Sequence, residues 1–118
     1  MKKITSTIFL FGILAFANML SAQKMTQEKM KAIYSDDISI FKKHFAPADY
    51  NKCFTLGYEQ FSPLGFSVLS GKTKIINFLL SNKANINKKC TATPLQIAND
   101  AKRVEIAQLL TERGATNN

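Results

Sequence analysis

His44, Cys53 and Cys90 carry the most reactive side chains in this 118-residue sequence. A Cys and a His nine positions apart, His44 and Cys53, raise the idea of a thiolate–imidazole nucleophile. That chemistry needs the pair within hydrogen-bond reach, a third group to orient the imidazole and a pocket that excludes water. Nothing around Lys42-Lys43-His44-Phe45 supplies the third group, and the simpler role for His44 is to sit against the C-terminal dipole of a helix. Structural zinc needs four Cys or His ligands at one point, so two cysteines and one histidine exclude a zinc finger. The sequence has no glycine-rich phosphate loop. These residues therefore predict a protein that is not an enzyme and holds neither cofactor nor metal.

The elements that position these residues come from the rest of the chain. Its length suits one domain, and 46% apolar with 10% aromatic residues argues against wholesale disorder. Sixteen Lys and Arg against eight Asp and Glu give a net charge of +8, which permits an anionic partner without naming one. At the start, Lys2 and Lys3 precede the uncharged apolar run Ile8 to Ala17, the length of a signal-peptide core and short for a membrane span of about 20 residues. Ser21-Ala22 places the cut after Ala22, so residues 1–22 are expected to be a signal peptide and 23–118 the exported domain. The alternative is an uncleaved N-terminal anchor. Loss of Lys2 and Lys3 leaves a charge of about +6, so the basic excess survives processing.

From Met25 onward one pattern recurs. Ala48-Asp49-Tyr50-Asn51, Ala84-Asn85-Ile86-Asn87 and Ala115-Thr116-Asn117-Asn118 are spaced by 36 and 31 residues. In phase with them stand Ser62-Pro63-Leu64 and Thr93-Pro94-Leu95, followed at one offset by the small residues Ser67 and Ala98, with Ala32 in the same column of a first copy. A third, apolar column aligns Ile75-Ile76 and Phe78-Leu79-Leu80 with Ile106-Ala107 and Leu109-Leu110, and more loosely with Ile40-Phe41 and Phe45.

On these columns the chain resembles the ankyrin repeat, whose signature is a period of about 33 residues with Thr-Pro-Leu-His-x-Ala opening two short helices. Gly65 and Gln96 stand where the motif has His, and the inter-helix Gly, kept as Gly71, is replaced by Asp36 and Lys102. The loop before Thr93 is about two residues short. The resemblance implies an all-α solenoid of about three helix-turn-helix repeats with hairpin loops, at about residues 25–57, 58–91 and 92–118. The residues make sense physically as well. Ser62 and Thr93 suit N-caps with proline at the first helical position, and Leu64 and Leu95 suit a shared interior that no single copy can bury alone. Lys102 suits a positive-φ turn less well than Gly71 does. A plain small helical bundle is the alternative fold, but it gives no reason for three copies to stay in register.

Both cysteines fall on inter-repeat loops of this scheme. Export would permit a Cys53–Cys90 disulfide, yet stacked repeats lie roughly 10 Å apart while bridged Cα atoms are within about 7 Å, so a bridge and two separate, partly buried thiols both stand. The longer loop, Asn51 to Phe61, carries Phe54, Leu56 and Tyr58 around Gly57 as candidate partner-binding anchors, with Lys88 and Lys89 of the next loop as a basic rim. Some of these side chains are expected to fold back on the core.

The resemblance implies a monomeric protein-binding module, using its loops and concave face, in the periplasm or secreted. Small exported bacterial ankyrin proteins suggest either an oxidative-stress enzyme such as catalase or a toxin as partner. Neither nucleic-acid binding nor stable membrane insertion after cleavage is expected. The alternative is a basic membrane-surface or polyanion binder, although Lys24, Lys52, Lys72, Lys88 and Lys102 are dispersed along the sequence.

Overall fold

The computed structural model describes residues 23–116, so the expected signal peptide lies outside the described residues. Within them, six helices form three pairs: α1 (Gln27–Tyr34) with α2 (Ile38–His44), α3 (Pro63–Ser70) with α4 (Thr73–Ser81), and α5 (Pro94–Asp100) with α6 (Val104–Glu112). Each pair starts where a side-chain oxygen takes up an orphan backbone donor. The Thr26 hydroxyl accepts from Lys29 N at 3.1 Å, Ser62 from Gly65 N at 2.9 Å, and Thr93 from Gln96 N at 3.2 Å. Pro63 and Pro94 occupy the first helical turn, where a missing N–H costs nothing.

One turn joins the helices of each pair, and all three turns use a left-handed residue: Asp36 (φ 52°), Gly71 (φ 71°) and Lys102 (φ 57°). Only glycine adopts that conformation without a Cβ penalty. The side chains then connect neighbouring repeats. Asp36 Oδ1 accepts from Ile75 N at 3.1 Å, in the first turn of α4, and Arg103 donates to the Leu69 carbonyl from Nη2 at 2.9 Å.

The first helices lie in a row, α1 on α3 and α3 on α5, with α2 packed on α4 behind them. Close approach within the row is possible because Ala32, Ser67 and Ala98 are small, and all three are buried. Ser67 satisfies its hydroxyl on the Pro63 carbonyl at 2.7 Å. Leu64, Ile75, Ile76, Leu79 and Leu110 are fully enclosed in one continuous core. Its first-repeat end is aromatic: Phe41 stacks on Phe45 at 4.7 Å and meets Tyr50 and Phe78 at 6.0 Å each.

The first copy departs from the other two. His44 occupies the column of Leu79 and Leu110, and Phe45 supplies the burial instead. Ala48 lies exposed in the 3-10 turn Pro47–Asp49, whereas Ala84 and Ala115 are buried. The Asp49 carboxylate closes that turn, accepting from Ala46 N at 2.9 Å and Lys52 Nζ at 3.1 Å. Burial works to raise the Asp49 carboxyl, but these two donors outweigh it and hold the group below its ordinary value.

The asparagine column of the repeat has a structural role. Asn51 Oδ1 accepts from Asn85 N at 2.7 Å, and Asn87 Oδ1 accepts from Thr116 N at 2.8 Å, so each copy satisfies a backbone donor of the next.

The expectation of an all-α chain is corrected by a small sheet. Strands β2 (Phe54–Leu56) and β3 (Glu59–Phe61) pair antiparallel, and β1 (Gln23–Lys24) adds in parallel to β2, giving the order β1-β2-β3. The physical reason is the turn between them. Gly57 takes φ 64° while Tyr58 stays at ordinary φ, the combination of a two-residue type II′ hairpin, whose twist matches its flanking strands.

Candidate functional site: the hairpin tip and the groove beside it

The hairpin register decides which side chains of the long loop face the core. Phe54 pairs with Phe61, Thr55 with Gln60 and Leu56 with Glu59. Side chains of directly opposed residues share a face, so Phe54, Phe61, Leu56 and Glu59 lie together and Thr55 and Gln60 lie opposite. That shared face runs from the interior outward. Phe54, an expected exposed anchor, is instead fully buried, with its ring 5.6 Å from Phe45 in an edge contact. Leu56 is half-buried against the core, and Tyr58 at the tip is entirely exposed, at 106%. Of the rim lysines, Lys88 is half-buried and Lys89 exposed.

The tip is braced on both sides. Met25 N donates to the Thr55 carbonyl at 2.8 Å on the β1 side. On the β3 side, Gln60 N donates to Thr91 Oγ1 at 2.7 Å and Thr91 N to the Gln60 carbonyl at 3.2 Å. This second contact draws the short loop of residues 88–92 onto the sheet. Cys90 thereby reaches Cys53, just before β2, and the two form a disulfide with their Cα atoms 5.7 Å apart. The 10 Å spacing of regular stacking does not apply here because the shorter loop bends toward the longer one.

With both sulfurs bonded to each other, no thiol is left for the Cys–His pairing considered above. His44 is half-buried, and its carbonyl accepts from Lys29 Nζ. The same ammonium lies 4.7 Å from the centre of the Phe45 ring and 5.7 Å from that of Phe54, a cation–π arrangement that fastens the hairpin base to α1. These residues hold structure rather than reacting groups together. Among the described residues no group of three or more His, Cys, Asp or Glu is placed to hold a metal ion.

A groove of about 330 Å³ opens between β3, the loop at Thr91-Ala92, and helices α3 and α5. Phe61, Leu69, Ile97 and Ala101 supply its apolar lining, and Glu59 and Asp100 stand in its walls. Sequence reasoning missed this groove, because its residues come from two repeats and meet only through the packing of α3 on α5.

Repeated capped helix pairs with a braced hairpin and an adjoining groove define a helical repeat scaffold. The family model for ankyrin repeats, in three copies, matches residues 29–118, and the chain belongs to the ankyrin-repeat family. Ankyrin repeats generally mediate protein–protein interaction, and the family is generally non-catalytic. No curated protein matches the chain. No helix among the described residues is long and apolar enough to cross a membrane.

Proposed function

We propose that this chain is a monomeric protein-binding module exported to the periplasm. It holds its partner on the face formed by the hairpin tip and the first helices, with Tyr58 as anchor, Leu56 beside it, and Lys88 and Lys89 at the rim. The observation that carries this reading is the complete exposure of Tyr58 on a tip braced by β1, by Thr91 and by the disulfide. A tyrosine ring buries a large area at little entropic cost, and a braced tip lowers the cost of ordering the loop on binding. The fold adds the family's general role in protein–protein interaction.

Export is supported by the leader pattern of residues 1–22 and by the disulfide, a bond that persists in oxidising compartments. Mass spectrometry of the periplasmic fraction should find a chain beginning at Gln23, and full-length protein held only in membranes would contradict it. A stress enzyme and a toxin are the two partner classes proposed. An affinity pull-down from the host with the disulfide-bonded chain as bait tests the binding reading. The partner recovered should be a protein whose capture is lost with Tyr58→Ala as bait; recovery of nucleic acid or anionic lipid alone would favour the polyanion alternative.

A further inference from the structure

We propose that the groove between β3, α3 and α5 receives a lysine or arginine that the protein partner presents between apolar side chains. The inference rests on the protein-binding reading and adds the chemistry of the partner. Glu59 and Asp100 are the two ionisable residues lining the groove, and no Lys or Arg among the described residues lines it, on a chain with sixteen basic and eight acidic residues. The charged groups of the groove's own lining are thus acidic on a basic molecule, with the nearby Arg103 guanidinium engaged on the Leu69 carbonyl, and a cationic side chain of a partner can pair with that wall.

The two carboxylates also differ from the other six acids in lacking a structural task. Asp36 and Asp37 cap backbone donors, Asp49 closes the 3-10 turn, Glu28 and Glu105 sit in first helical turns where the helix dipole favours them, and Glu112 accepts from Gln108. The side-chain carboxylates of Glu59 and Asp100, both exposed, have no hydrogen bond or ion pair with any described residue. Asp100 is the last residue of α5, where the dipole disfavours a negative charge, so its place works against stability. A residue that weakens the fold and faces a groove is the pattern of a site kept for a ligand.

The size of the groove sets the kind of occupant. At about 330 Å³ it lies at the small end of ligand pockets, which run from about 300 to 1,000 Å³. It suits one or two side chains of a peptide segment. Phe61, Leu69, Ile97 and Ala101 would take the methylene stem and its apolar neighbour, and Glu59 and Asp100 the charged head.

The test is a random peptide library panned against the full chain with its disulfide intact, followed by affinity measurements on synthesised winners. Selected peptides should carry Lys or Arg next to Leu, Ile or Phe. Their affinity should fall about five- to tenfold against the Glu59→Gln, Asp100→Asn double variant, with a smaller drop at high salt. Changing the peptide's basic residue to Gln should give a similar loss that does not add to the first. The double variant should melt no lower than the parent, and Asp100→Asn alone should raise the midpoint, which separates loss of binding from loss of fold. Peptides without a basic residue, indifference to the double variant, or no selected binder would overturn the inference. If such indifferent peptides lose affinity with Tyr58→Ala, the protein-binding reading stands and only the groove chemistry falls. Selection of acidic peptides that depend on Lys88 and Lys89, and not on Tyr58, would sink both.

Discussion

Between the first and second repeats the turn residue Asp36 reaches forward, its carboxylate accepting from Ile75 N in the first turn of α4. Between the second and third, the turn residue Gly71 has no side chain to offer, and Arg103 of the later repeat reaches back to the Leu69 carbonyl near the end of α3. Both contacts complement a helix dipole, one at an N-terminus with an anion and one near a C-terminus with a cation. Their surroundings differ. The first junction has the aromatic cluster of Phe41, Tyr50 and Phe78 and a part-buried carboxylate, whereas the second has Phe61 with Leu69 and Ile97 along a groove and an exposed guanidinium. The lesson is that apolar columns keep the repeats in register, while turn side chains set how firmly each junction is held. The groove lies at the second junction.

Core truncations should rank the junctions most strongly. Phe41→Ala removes the centre of the aromatic cluster and should cost about 3–5 kcal/mol, and Leu79→Ala or Leu110→Ala about 2–5 kcal/mol. Urea midpoints would check this. A smaller loss for Phe41→Ala than for Leu110→Ala would reverse the ranking, and unchanged midpoints at both leucines would mean that the repeat register is misassigned.

The disulfide comes next, since it links the loops of both junctions across the second repeat. Its closure over 37 residues should stabilise the fold by about 3–4 kcal/mol in the chain-entropy model. Cys53→Ser with Cys90→Ser, or reduction, should lower stability by that order and release the loop of residues 88–92 from β3. Titration of the oxidised, folded protein should find no free thiol; two rapidly reacting equivalents would count against the bridge.

The smallest effects should come from the turn column itself, where one substitution has opposite signs. Asp36→Gly eases a left-handed residue but deletes the cap on Ile75, for a net cost of about 1 kcal/mol. Lys102→Gly eases the same conformation and deletes no hydrogen bond, for a gain of about 0.5–1 kcal/mol. Thermal midpoints moving the same way for both would remove the distinction between the junctions.

Much of this was legible in the sequence wherever the physics is local. Ser62-Pro63 and Thr93-Pro94 announce helix starts through capping, and Gly71 marks a turn through backbone preference, with Lys102 placed at the equivalent turn by the repeat register. The hairpin was less legible. Three residues on each side of Gly57-Tyr58 give too short an alternation to separate a strand from a loop, so Phe54 passed for an anchor while its register turned it inward. The cysteine pairing depended on Thr91 meeting Gln60, a contact 31 residues apart in sequence. Asp100 carries no local signal of a site, because only the packing of α3 on α5 sets it in one groove with Glu59.

The central claim is that the hairpin tip, rather than the basic charge, binds the partner. Its most direct test is the affinity of the captured partner for Tyr58→Ala beside Lys88→Glu with Lys89→Glu, each measured over a salt titration. Loss of a desolvated aromatic anchor should cost about 2–4 kcal/mol with little salt dependence, while the lysine changes should mainly alter association rate and salt response. Unchanged affinity for Tyr58→Ala, with binding abolished by the lysine reversals and falling steeply with salt, would contradict the account and assign the protein to polyanion binding.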